Sequence, residues 1–134
     1  MAKAGRKMRS KRLPEIPENW QSFLLSLLFH MLLPLLPLLI ESWIRGTLGN
    51  HAITIVAAIY AMSISVSSKS RIFFGLYIFI GFMFSFAYGV TLVNEHALSN
   101  LAQYAFISIT FVFLTHAGER WNAHVIDGEP YWNF

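Results

Sequence analysis

Apolar residues arrive in four long runs, over residues 21–44, 51–68, 72–93 and 100–117, separated by the short polar stretches "RGTLGN", "KSR" and "NEHALSN". A run of about 18 or more residues with few charges is the length a helix needs to cross a hydrocarbon core. A soluble helix would instead show a polar face over much of its length. The pattern therefore predicts an all-α membrane protein with four transmembrane helices. Trp20 and Trp43 bracket the first run, 23 positions apart. That is about 34 Å of helix, which sets both rings at headgroup level with about 30 Å of hydrocarbon between them. Trp121 and Trp132 are the corresponding interface anchors near the C-terminus.

The flanks are different in kind. Residues 1–20 read as a basic, disordered arm and spacer holding Lys3, Arg6, Lys7, Arg9, Lys11 and Arg12, then Pro14 and Pro17. Residues 118–134 read as an interfacial tail rich in polar and aromatic residues. An even number of spans puts both ends on one side. That side collects the six arm residues plus Lys69, Arg71 and Arg120, against Arg45 alone on the other. Basic residues stay on the cytoplasmic side, so both termini are expected there. A bacterial inner membrane is the expected home, although an acid-free, Arg-rich N-terminus is also the pattern of an organellar presequence.

Composition narrows the picture further. Of the 134 residues, 55% are hydrophobic and 13% charged, about half the charge of a soluble domain. The absence of cysteine excludes disulfides, thiolate metal sites and cysteine nucleophiles. Six of ten basic residues lie in the arm, so the net charge of +3 is not a nucleic-acid signature. The arm serves topology, and it can also bind anionic lipid or a partner.

One run carries a polar stripe. Successive helical residues turn by 100°, so Ser26, His30, Pro34, Pro37 and Glu41 share a narrow sector of the first span, with Arg45 at its edge. A lipid-facing charge or imidazole would cost several kcal/mol, so this face should turn toward protein or water. Pro34 and Pro37 lack the N–H groups that would bond the carbonyls of His30 and Leu33, which predicts a kinked first helix with freed carbonyls. Two readings stand side by side. In one, the stripe is structural: His30 bonds a neighbouring helix and Glu41 pairs with Arg45. In the other, the five stripe residues line a pore or cavity.

Small residues at four-residue spacing mark close helix contacts: Ala57, Ala61 and Ser65 on the second span, and Gly81, Ser85 and Gly89 on the third. Four short helices enclose little volume, so any wet path needs symmetry-related copies, and a homo-oligomer is expected. His116, Glu119 and His124 lie close in sequence but lack zinc-site spacing, and residues that satisfy helix ends explain them better. No catalytic, nucleotide or metal motif is present, so neither an enzyme nor a cofactor is expected. In size and span number the chain resembles the small four-span membrane subunits of some bacterial antiviral defence systems, such as Kiwa, and certain phage holins. The first likeness implies a membrane anchor or sensor with a cytoplasmic partner. The second implies a small channel or a membrane-permeabilising effector.

Overall fold

The computed structural model describes residues 15–132. The basic arm, Lys3 to Arg12, lies outside the described residues. Those described form helices and connectors with no strand. Four helices are long and apolar enough to cross a membrane: α1 (Glu18–Arg45), α2 (Asn50–Ser67), α3 (Arg71–Val93) and α4 (Leu101–Ile126). They run antiparallel in sequence order, so the start of α1 and the end of α4 meet at one end of the bundle, where Trp20 and Trp121 pack edge to face at 5.0 Å.

The small residues of α2 make it the centre. Ala57, Ala58, Ala61, Ile64 and Ser65 are buried, and α3 and α4 both pack chiefly against this helix while barely touching each other. Gly81 of α3 is the tightest point. A Cβ there would lie 2.5 Å from Met62 Cγ and 3.2 Å from the Ala58 carbonyl oxygen. Of the remaining small residues on α3, Ser85 is half-buried and bonds back to the Gly81 carbonyl, while Gly89 faces open space. Large apolar side chains such as Leu39, Trp43, Phe82, Phe86 and Leu114 point outward. In water such a surface would be an aggregation liability, and in hydrocarbon it costs nothing.

α1 departs from regular α geometry around its prolines. Ser26–Leu32 has the wider π-helical turn, Leu33–Leu35 the tighter 3₁₀ turn, and α-geometry resumes over Leu36–Arg45. Proline removes an i→i+4 bond, and local π and 3₁₀ adjustments re-satisfy the backbone. The Leu33 carbonyl, expected to be freed by Pro37, accepts instead from Leu36 N–H three residues on. The helix ends at Gly46, whose φ of 69° is the left-handed C-cap that favours glycine, with its N–H donating to the Ser42 carbonyl at 2.9 Å.

α4 continues past residue 117 into the region read as tail, ending in a π-helical turn over Asn122–Ile126. The chain then folds back. Glu129 N–H donates to the Ala123 carbonyl at 2.9 Å, and His124 Nδ1 donates to the Glu129 carbonyl at 2.8 Å. Lys69 pairs with the Glu129 carboxylate, tying this return to the α2–α3 connector.

Candidate functional site

The connector Ser68–Lys69–Ser70 leaves two helix ends to be satisfied, the C-terminus of α2 and the N-terminus of α3. Adjacent residues of α4 meet both. Arg120, 2% exposed, donates from Nη2 to the Ser67 carbonyl at 2.8 Å, placing a cation at the negative end of α2. Glu119 accepts from Ser70 N–H at 3.1 Å and from the Ser68 hydroxyl at 2.9 Å, placing an anion at the positive end of α3. Ser70 caps α3 with its own hydroxyl, which accepts from Phe73 N–H. Two opposite charges on α4 thus clamp a turn between two other helices.

Around this clamp lies a buried polar network. Arg120 Nε donates to His116 Nε2 at 3.2 Å, so that nitrogen is an acceptor and the ring proton sits on Nδ1. From there it is donated to Glu119 Oε2 at 3.0 Å. The Ser67 hydroxyl stands between two imidazoles, 3.2 Å from His116 Nε2 and 2.7 Å from His30 Nε2, and also donates to the Ile64 carbonyl. Tyr77 of α3 bonds the Thr115 hydroxyl at 2.7 Å and sets its ring edge-on to His116. The network therefore draws on all four helices.

Two stripes meet here. Ser22, Ser26 and His30 recur every four residues on α1, and His116, Arg120 and His124 do so on α4. His30 faces His116 with ring centres 6.0 Å apart, and Trp20, ten residues back on α1, meets Trp121, five residues on along α4, so the stripes run side by side. Ser22, Ser26, His116, Arg120 and His124 are buried. Ser26 Oγ and His124 Nε2 are buried without a hydrogen-bond partner among the described residues.

The stripe read from the sequence divides. Ser26 and His30 turn into the α1–α4 seam, Pro34 is half-buried, and Pro37 is exposed. Glu41 pairs with the exposed Arg45 at 3.5 Å on the far side of the helix break. The π and 3₁₀ turns change the angular step, so a sector drawn at 100° per residue does not survive them. Ser67, Ser68 and Ser70 carry much of the network without any signal in the sequence, and Arg120, counted there only as a topology charge, joins them. The signal for Arg120 was present as the four-residue spacing of His116, Arg120 and His124, hidden by ending the fourth span at residue 117. Trp43 and Trp132 are strongly exposed, whereas Trp20 and Trp121 are partly covered by each other and by Phe23.

No protein-family model, curated protein or solved structure matches this chain. Its chemistry rests on its own geometry. Ser67, His116 and Glu119 have the distances of a hydrolase triad. However, Arg120 Nε occupies the lone pair that a general base would use, and the Ser67 hydroxyl lies in a buried seam. No group of three His, Cys, Asp or Glu side chains among the described residues is placed to hold a metal.

Proposed function

We propose that the chain is a non-enzymatic, homo-oligomeric protein of a bacterial inner membrane, with both termini cytoplasmic and α1 kinked at its prolines. It serves as the anchor or sensor subunit of a larger complex with a cytoplasmic protein partner, in the setting of a bacterial defence system. The observation that carries this reading is the inequality of the two ends. The start of α1, the end of α4, Lys69, Arg71, Arg120 and the folded-back segment after Ile126 gather at one end. That is the end the basic residues assign to the cytoplasm. Built polar structure at that end offers a partner a defined surface, whereas a topology signal alone would require only charge. The defence setting rests on likeness of size and span number.

Native mass spectrometry of the full chain, tagged and gently extracted from its host, tests this. A stoichiometric soluble companion lost on deletion of residues 1–12 is the expected result. A homo-oligomer with no companion overturns it in favour of the second reading, a small homo-oligomeric channel or holin-like effector. What favours that reading is the α1 face bearing Pro34, Pro37 and Glu41, which one copy covers only in part, leaving Pro37 exposed. A channel predicts that Glu41→Gln alters ion flux while assembly survives.

A further inference from the structure

The polar network runs from the molecular surface through the buried His116 to the half-buried His30. Glu119 lines an open recess of about 290 Å³ with Lys69, Ser70, Asn122 and Asp127. Inward from it, His116 Nδ1 is 3.0 Å from Glu119, Ser67 Oγ is 3.2 Å from His116 Nε2, and His30 Nε2 is 2.7 Å from Ser67 Oγ. Every atom on this line can both give and take a proton, or does one of the two at its end. A hydroxyl between two imidazoles is poorly explained by cohesion alone, because an apolar seam of the same shape would avoid the desolvation of three polar side chains.

We propose that Glu119, His116, Ser67 and His30 form a proton relay connecting the recess beside Glu119 to His30 on α1. The step balances as follows. A doubly protonated His30 breaks its Nε2–H bond and gives the proton to Ser67 Oγ. Ser67 turns its own hydroxyl proton from the Ile64 carbonyl toward His116 Nε2 and passes it on, displacing the Arg120 Nε contact. His116 releases its Nδ1 proton to Glu119. At the end His30 is neutral, Ser67 is unchanged, His116 carries its proton on Nε2, and Glu119 is a neutral acid. The proton count is conserved, and from His116 in its Nε2–H tautomer with Glu119 protonated the reverse sequence loads His30 from the recess.

The groups facing this line come from every neighbouring element. Arg120 lies beside His116 on α4, Tyr77 faces it from α3, and Lys69 of the connector is engaged by Glu129. The unpartnered Ser26 Oγ lies one turn from His30, on the same seam as the unpartnered His124 Nε2. Buried polar atoms without protein partners are where internal water binds, and water there would extend the relay. His30 in turn lies one turn before Pro34, within the altered segment of α1. Its charge is thus presented where α1 leaves regular geometry. The relay deepens the sensor part of the proposed function and rests on that reading's orientation, with protons from the cytoplasmic side as the signal.

Full-length protein with ¹⁵N-labelled histidine in lipid nanodiscs gives the test, read by NMR as exchange of the His30 ring proton with water. Glu119 touches Ser68, Ser70 and His116 but not His30. A relay predicts that Glu119→Gln slows exchange at His30 roughly tenfold or more, as does Ser67→Ala. Glu41→Gln, on His30's own helix, leaves it unchanged. Should Glu119→Gln not fold, Ser67→Ala decides, since it removes one hydroxyl and neither helix-end contact. Unchanged exchange at His30 in the folded variants overturns the relay. Partner capture is read separately, so each idea can fail alone.

Discussion

The two ends of the bundle use the same residue types to different effect. At one end His30, Ser67, His116, Glu119 and Arg120 are drawn into a seam between helices, with Arg120 and His116 fully buried. At the other, Glu41 meets Arg45, and His51 meets Thr91 at 3.1 Å and Glu95 at 3.8 Å, with Arg45, His51 and Glu95 facing outward. Ion pairs in solvent are worth about 0–1 kcal/mol, whereas removing one member of a buried pair costs about 3–5 kcal/mol. Composition alone cannot separate these cases. Burial decides which cluster organises the fold and which decorates it.

The most damaging single change is expected at Arg120. Arg120→Met removes the donor to the Ser67 carbonyl, strips the cation from the end of α2 and takes away the donor to His116 Nε2. A loss of about 1–3 kcal/mol follows from the buried acceptors left unpaired, read as the unfolding midpoint in nanodiscs or mild detergent. Arg45→Met at the opposite end should change the same measurement by about 0.5 kcal/mol or less. Equal effects would erase the distinction between the two ends.

A second contrast sits on one helix. Gly81→Ala drives a methyl into Met62 and the Ala58 backbone, so about 1–3 kcal/mol is expected to be lost. Gly89→Ala meets open space, and removing a helix glycine should be neutral or stabilising by up to about 1 kcal/mol. If Gly89→Ala instead weakened assembly on native gels, that face would be a contact between copies.

The four helices were legible because hydrocarbon imposes a length and a composition that no soluble helix shares. The site was legible only in pieces. His30 stood out as an imidazole among leucines, and the pairing of Glu41 with Arg45 followed from their spacing. The network could not be assembled, because Ser67 to His116 is a contact across 49 residues, and serine at the end of a span is ordinary. Past Pro34 the stripe is uneven, with Pro37 exposed and Glu41 half-buried, since periodicity holds only while the helical step is constant. Arg120 was read as a topology charge, when the four-residue spacing with His116 and His124 marked it as inward-facing.

The smallest expected effect concerns how the segment after Ile126 is held. The exposed Lys69–Glu129 pair joins it to the α2–α3 connector. The hydrogen bond from Lys69 is the main cause holding the Glu129 carboxyl below its usual range, helped by the positive charges of Lys69 and Arg120. A carboxyl whose folded value is depressed contributes stability above its unfolded value and loses it as pH falls through the folded one. Acidification below the ordinary carboxylate range should therefore loosen this segment, raising amide hydrogen exchange over residues 122–132 while the middle of α2 stays protected. Glu129→Gln should show raised exchange already at neutral pH and little further change on acidification. Salt should mimic it weakly, because the pair is open to solvent. A network clamped by buried charges and a latch held by an exposed one would then separate in a single exchange experiment: the seam at His116 and Arg120 indifferent to salt, the latch at Glu129 responding to it.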